Sequence, residues 1–135
     1  MRYPVVLHKD PESDYGVSVP DLPGCFSAGD SIDDALQQVV EAIECHLEGL
    51  LLDNEPIPVP NKVEYHQNNP DYAGGIWAVV SIDITKLSGK SRRVNITLPE
   101  RVLNIMDKYA DEHGETRSGF ITQAAMAFID SQKNL

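Results

Sequence analysis

The chemically most distinctive residues of this sequence lie in a short basic segment, residues 86–101. Its single acidic residue, Glu100, is outnumbered by five basic residues, which leaves a net charge of +4. The basic residues are Lys86, Lys90, Arg92, Arg93 and Arg101. A cationic stretch of this kind favours contact with the phosphates of a nucleic acid. A solvated basic linker is the alternative that charge alone leaves open.

Side chains within this segment alternate in character. The apolar ones are Val94, Ile96 and Leu98, and the polar ones are Arg93, Asn95 and Thr97. Alternation with a period of two predicts a strand with one apolar face and one hydrogen-bonding face.

The first 85 residues carry the opposite charge, since three basic and fifteen acidic residues give a net charge of −12. Metal-dependent nuclease chemistry would need several carboxylates that converge on a pair of metal ions. Asp83 lies near the end of a predicted strand, whereas Asp10, Asp14 and Asp21 belong to predicted turns, so a nuclease is disfavoured. The histidines and cysteines show no metal-ligand spacing, and we expect neither a metal nor a cofactor.

Length and composition predict a cytoplasmic protein of two small domains. The 135 residues leave room for two domains if a partner chain completes one of them. No apolar run approaches the roughly 20 residues of a membrane span, and Pro4 and nearby charges interrupt any secretory signal. We expect Cys25 and Cys45 to be reduced thiols.

Residues 1–85 predict an α+β domain in the order β-β-β-α-β. Strands are expected over residues 3–8, 15–19, 25–28 and 76–84. The last of these is apolar enough to lie at the centre of the sheet. The helix begins after Ser31, with Asp34 in a capping-box-like position. Its apolar face is spaced at intervals of three and four residues: Ile32, Leu36, Val39, Ile43, Leu47 and Leu50. Residues 61–75 are polar and predict a loop.

After a linker at residues 86–91, residues 92–135 predict a domain of one strand and two helices. The first helix runs from Pro99, at its first helical position, to His113, with Gly114 as its C-cap. Thr116 begins the second helix. The apolar face of that helix is formed by Phe120, Ile121, Ala124, Ala125 and Phe128. One strand and two helices are too small to bury these faces, so we expect a homodimer with paired strands, or a tetramer.

This C-terminal pattern resembles the ribbon-helix-helix family of DNA-binding repressors over residues 91–132. The resemblance rests on Arg92-Arg93-Val94-Asn95-Ile96-Thr97-Leu98-Pro99-Glu100 and on Gly114-Glu115-Thr116-Arg117-Ser118. It implies that Arg93, Asn95 and Thr97 contact base edges in the major groove of double-stranded operator DNA, which their donors and acceptors suit. It also implies phosphate contacts by Arg92, Thr116, Arg117 and Ser118. The alternative is that the polar strand face is merely solvated.

The preceding residues resemble the HicB family of antitoxins from HicA–HicB toxin–antitoxin pairs. The matching segments are Tyr3-Pro4-Val5-Val6, residues 15–30 around Pro20-Asp21-Leu22-Pro23-Gly24-Cys25, Leu47-Glu48-Gly49-Leu50-Leu51 and Glu55-Pro56-Ile57-Pro58. The resemblance implies a partial ribonuclease-H-like layer without enzymatic activity. It also implies an antitoxin that neutralises a small mRNA-cleaving HicA-type toxin and represses its own operon.

Candidate toxin contacts are Asp21, Leu22, Pro23, Glu41, Glu44 and Glu48. A rigid turn and a solvated helix face are the structural alternatives for these residues. A second functional hypothesis keeps the DNA-binding tail and makes the first domain a sensor of a small ligand. The sequence has no phosphate-cradling glycine loop that would support that sensor.

Overall fold

The structure of the protein, a computed structural model, describes residues 1–89 and 92–133. The chain forms two compact units, an N-terminal unit of Arg2–Ile82 and a C-terminal unit that begins at Asp83. The elements of the first unit are β1 (Arg2–Lys9), β2 (Tyr15–Ser18), β3 (Phe26–Gly29), α1 (Ile32–Leu52), α2 (Val63–His66), a 3-10 turn (Pro70–Tyr72) and β4 (Ile76–Ser81). Those of the second are a 3-10 helix (Ile84–Gly89), α3 (Glu100–Glu112) and α4 (Arg117–Lys133). The predicted α+β class is confirmed.

The four strands form one antiparallel sheet in the order β3-β2-β1-β4. Strand β1 is central, and its residues from Tyr3 to Leu7 are buried. The prediction of a central strand over residues 76–84 is wrong: β4 lies at the edge, ends at Ser81, and leaves Ile76 47% and Val79 51% exposed. Apolar density favours burial, but strand order depends on pairing: β1 and β2 pair on both sides, whereas β4 pairs with β1 alone.

Helix α1 packs on the sheet with the predicted N-cap. The Ser31 hydroxyl accepts a hydrogen bond from the Asp34 amide at 3.1 Å, which satisfies one of the free donors of the first turn. The buried positions repeat every four residues: Ala35, Val39, Ile43 and Leu47. Ile32, predicted to begin this stripe, is 39% exposed. Ala35 takes the first buried position, where the helix approaches β3 so closely that a Cβ on Gly29 would overlap the Ala35 backbone.

The connection from α1 to β4 is more ordered than its polar composition suggests. Within the predicted loop of residues 61–75 the structure forms α2 and the 3-10 turn. Gly75 lies so close to β1 that a Cβ there would overlap the Val6 side chain. Earlier in the connection, the Tyr3 hydroxyl donates to the Pro58 carbonyl at 2.6 Å. Burial of this phenol, and secondly the charge of Asp21, raises the pKa of Tyr3 above its ordinary value.

The C-terminal unit begins with the 3-10 helix, of which Ile84 and Leu87 are buried. The Asp83 carboxylate accepts hydrogen bonds from the Thr85 hydroxyl at 2.6 Å and from the Thr85 amide at 3.1 Å. The bond from the hydroxyl is the main reason that the pKa of Asp83 lies below its ordinary value. Asp83 therefore lies at the start of a helical turn and not on a strand. Of the predicted linker, residues 86–89 belong to this turn, and residues 90 and 91 lie outside the described residues.

Helices α3 and α4 correspond to the two predicted C-terminal helices. Pro99 is the N-cap of α3, so the helix begins at Glu100, one residue later than predicted. Gly114 follows the last turn of α3 with a φ of +67°, the left-handed conformation that glycine adopts most readily at a helix C-terminus. The Thr116 hydroxyl accepts a hydrogen bond from the Gly119 amide at 3.0 Å and caps α4. Both Gly114 and Thr116 therefore act as predicted.

Candidate functional site

Residues 92–99, which include the predicted base-contacting side chains, form neither a helix nor a strand in the single chain. Their polar side chains are exposed: Arg92, Arg93, Asn95 and Thr97. The apolar side chains between them are also exposed, Val94 by 69% and Ile96 by 59%. A strand requires a hydrogen-bonded neighbour, and the segment belongs to no sheet in the described part of this chain. Its apolar face is consequently uncovered.

An open groove of about 1050 Å³ lies between this segment and helices α3 and α4. Leu98, Leu103 and Ile121 contribute apolar lining, and Ser118 and Thr122 contribute hydroxyls. Other large apolar side chains of the two helices are exposed to solvent: Val102, Ile105, Tyr109, Phe128 and Ile129. Exposed apolar surface on this scale is typical of an interface with another molecule.

The start of α4, predicted to bind phosphate, holds an ion pair. The Arg117 guanidinium donates to Asp107 from Nε at 2.9 Å and from Nη2 at 2.8 Å. These hydrogen bonds, and then the Arg117 charge, hold the pKa of the Asp107 carboxyl below its ordinary value. The Arg117 side chain is thus engaged within the unit. By helix geometry the amides of Arg117 and Ser118 have no intrahelical acceptor and remain suited to an anion.

The Pro20–Gly24 turn, which includes three predicted toxin contacts, is largely built into the N-terminal unit. The Asp21 side chain is 3% exposed and accepts hydrogen bonds from the Asn61 amide at 3.1 Å and from Asn61 Nδ2 at 2.7 Å. Asp21 Oδ1 also lies 3.0 Å from Nε2 of His66. Leu22 is completely buried, whereas Pro23 is exposed. Asp21 and Leu22 therefore hold the turn in place, and Pro23 is its accessible member.

The other predicted toxin contacts lie on α1. Glu41, Glu44 and Glu48 are all exposed on the helix whose opposite face packs on the sheet. They lie three and four residues apart, so they share one side of the helix. The structure therefore leaves an acidic helix face available to a partner.

Four aromatic rings that the sequence interpretation did not consider form a continuous row beside β4. Tyr65 contacts His66 at a centroid distance of 5.0 Å, His66 lies parallel to Trp77 at 6.5 Å, and Tyr72 meets Trp77 edge to face at 5.7 Å. Tyr65 is 71% exposed. Aromatic residues recurring within the polar segment 61–75 were the sequence signal that could have revealed this cluster.

The described residues contain no cluster of metal-ligating side chains. Within residues 1–89 and 92–133, no three His, Cys, Asp or Glu side chains are grouped to hold a metal ion. Helices long and apolar enough to cross a membrane are absent from the same part of the chain. Cys25 is buried, Cys45 is exposed, and both are free thiols. Burial, and then the nearby Cys45, raises the pKa of the Cys25 thiol.

Comparison with known proteins gives four relationships, two in sequence and two in structure. A family model, the HicB-like antitoxin of bacterial toxin–antitoxin systems, matches residues 3–125. An uncharacterised 14.9 kDa protein from the rep–hol intergenic region of Haemophilus phage HP1 is 43% identical over 127 residues, 93% of this chain and 95% of that protein.

Among solved structures, the crystal structure of the Burkholderia pseudomallei antitoxin HicB matches with a TM-score of 0.77 and 43% identity, covering 93% of this chain and 96% of that chain. A chain of the HicA3 and HicB3 toxin–antitoxin complex matches with a TM-score of 0.53 and 32% identity, over 62% of this chain and 99% of that chain.

Proposed function

Because the chain belongs to the HicB-like antitoxins of bacterial toxin–antitoxin systems, we propose that it binds and neutralises a small mRNA-cleaving toxin of the HicA type. We propose further that the C-terminal unit is a ribbon-helix-helix domain through which a homodimer binds operator DNA and represses its own operon. The N-terminal sheet and α1 would then be the partial ribonuclease-H-like layer that binds toxin. The proposed location is the cytoplasm, where a bacterium keeps its mRNA and its operator DNA.

The uncovered segment 92–98 is the observation that carries the DNA-binding part of the proposal. Its apolar side chains are exposed beside an open groove of about 1050 Å³. A second copy of the segment, paired antiparallel with the first, would supply the missing hydrogen bonds and cover Val94 and Ile96. Four helices would then enclose one shared core, which would cover the exposed side chains of Ile105 and Phe128.

Pairing of the two segments would orient their polar side chains together. Arg93, Asn95 and Thr97 alternate with the apolar positions, so burial of the latter leaves the former on the outer face of the ribbon. A two-stranded ribbon fits the major groove, where Arg pairs with guanine and Asn with adenine. Arg92 and the backbone amides at the start of α4, from Thr116 to Ser118, would contact phosphates. Arg117 would contribute its amide, since its side chain binds Asp107.

The charge of the N-terminal unit supports a cationic protein partner. Residues 2–82 include three basic and fourteen acidic residues, a net charge of −11. A toxin that cleaves mRNA must approach a polyanion, so its RNA-facing surface is cationic, and complementary potentials favour its encounter with this unit. Pro23 and the α1 carboxylates Glu41, Glu44 and Glu48 are the accessible candidate contacts. Asp21 and Leu22 would support them by holding the turn.

The test of DNA binding uses the purified chain and the DNA immediately upstream of its gene at one fixed salt concentration. The variant Arg93→Ala/Asn95→Ala/Thr97→Ala removes the proposed base contacts, and Lys108→Ala removes an exposed cation from α3 as a control. Each bidentate base contact contributes about 1–3 kcal/mol, so we expect the triple variant to lose about a hundredfold or more in specific affinity. Lys108→Ala should bind nearly as the native chain does.

Sedimentation in the same buffer checks that both variants remain dimers. Equal binding by the native chain and the triple variant would show that the segment does not recognise bases. Failure of the native chain to bind at all would leave the C-terminal unit as a dimerisation device. A native chain that stays monomeric at micromolar concentration would contradict the ribbon itself.

A further inference from the structure

The proposed toxin contacts do not use the row of four aromatic rings beside β4. The row consists of Tyr65, His66, Trp77 and Tyr72. Its rings come from α2, the 3-10 turn and β4, three elements separated in sequence. Trp77 touches both His66 and Tyr72 and so joins the two helical turns to the sheet. Phe26, on the opposite edge strand β3, is 69% exposed.

The chain holds this row by several independent contacts. The nearly buried Asp21 side chain accepts two hydrogen bonds from Asn61, and its Oδ1 lies 3.0 Å from Nε2 of His66. These contacts hold α2 from both of its ends, since Asn61 precedes the helix and His66 is its last residue. The Asn69 side chain accepts a hydrogen bond from the Asp71 amide at 2.9 Å and so caps the turn that carries Tyr72. Such support keeps the rings in position before any partner arrives.

Charge restricts what this surface can bind. The unit has a net charge of −11, and the exposed Glu64 and Asp71 are the chain neighbours of Tyr65 and Tyr72. Aromatic rows that stack on nucleic-acid bases lie in positively charged grooves, which this unit lacks. A second N-terminal unit would bring the same negative charge, which does not complement this surface. A cationic protein is the partner that both the rings and the carboxylates favour.

We infer that the row of Tyr65, His66, Trp77 and Tyr72 is a docking surface for an arginine or lysine side chain of the toxin, an inference that rests on the proposed antitoxin function. A guanidinium or ammonium group is attracted to the face of an aromatic ring, most strongly to tryptophan and tyrosine. The net negative charge of the unit attracts the same cation. Rigid aromatic side chains also lose little conformational freedom on binding, and they are frequent among the residues that dominate interface affinity.

The experiment measures toxin affinity by calorimetry with the full-length chain and the purified cognate toxin. Tyr65→Leu and Tyr72→Leu remove a ring while keeping an apolar side chain, and Phe26→Leu makes the same change at the far edge of the sheet. We expect either tyrosine variant to raise Kd by about threefold to thirtyfold, the range of a cation–aromatic contact, and Phe26→Leu to leave it within twofold. Trp77 is the only tryptophan of the chain, so ¹⁹F NMR of 5-fluorotryptophan should show its resonance shift upon toxin binding.

The outcomes separate this inference from the function on which it rests. If the native chain binds no toxin, both fail. If it binds toxin, but both tyrosine variants bind equally well and the Trp77 resonance is unchanged, the antitoxin function stands and the docking surface lies elsewhere. A loss of affinity in Phe26→Leu alone would place that surface at β3. If the tyrosine variants change the oligomeric state of the free chain and leave toxin affinity intact, the row is a contact between copies and the inference is wrong.

Discussion

Replacement of Asp21 distinguishes a residue that builds the N-terminal unit from one that contacts a partner. In Asp21→Ala, three donors lose their acceptor: the Asn61 amide, Asn61 Nδ2 and His66 Nε2, which lie 3.1, 2.7 and 3.0 Å from the carboxylate. Asn61 is exposed, so water can replace the carboxylate at its two donors. The His66 side chain is only 11% exposed and is the donor most costly to leave unpaired. We therefore expect a loss of about 2–3 kcal/mol in the free energy of unfolding.

The assay is urea unfolding followed by the fluorescence of Trp77, which lies within the same unit. With a slope of about 1–2 kcal/mol per molar urea, the Asp21→Ala midpoint should fall by about 1–3 M. Asp14→Ala, which removes an exposed carboxylate in the preceding turn, should change stability by less than about 0.5 kcal/mol. If Asp21→Ala unfolds at the native midpoint yet binds toxin tenfold more weakly, Asp21 is a direct contact and the packing argument is refuted.

Two further predictions concern the close approach of α1 to β3 and the ion pair of the C-terminal unit. Gly29→Ala places a methyl group into the Ala35 backbone and should lower the free energy of unfolding by about 2–4 kcal/mol. Gly49→Ala, whose new methyl group meets no other atom, should raise it by about 0.5–1 kcal/mol. Equal urea midpoints for the two variants would contradict this packing. Because Arg117 lowers the pKa of Asp107 in the folded state, the pair stabilises the unit above the ordinary aspartate pKa of about 3.9, and this contribution disappears as pH falls through the lowered value. The urea midpoints of the native chain and Asp107→Asn should therefore converge in acid, and a gap that persists there would show that the pair is not responsible.

Features set by neighbouring residues were predictable from the sequence. The caps at Ser31, Gly114 and Thr116 depend on side chains or backbone conformations within three or four residues, and the structure confirms them. Of the predicted apolar face of α1, Val39, Ile43 and Leu47 are buried, Leu36 and Leu50 are half-buried, and Ile32, at the first position, is exposed. There the close approach of Gly29 decides which residue lies inside, and that approach is a tertiary property.

Features set by distant contacts were not predictable in this way. The apolar density of β4 is compatible with a central or an edge strand, and pairing with β1 alone places it at the edge. Asp21 reaches Asn61 and His66 across 40 and 45 residues, so its role within the fold does not follow from the turn sequence. Arg117 pairs with Asp107 between two helices, where neither helical pattern specifies the partner.

Both units leave apolar or aromatic surface uncovered, and their charges determine which partner can cover it. In the C-terminal unit, exposed Val94 and Ile96 alternate with a cationic and two polar side chains. In the proposed dimer a second copy covers the apolar face, because DNA offers no apolar surface on this scale, and the polar face remains for the DNA. The exposed ring of Tyr65 belongs to an N-terminal unit with a net charge of −11, which disfavours contact with DNA. A cationic protein matches both properties of that surface, which supports the proposal that one chain binds an mRNA-cleaving toxin and operator DNA at separate surfaces.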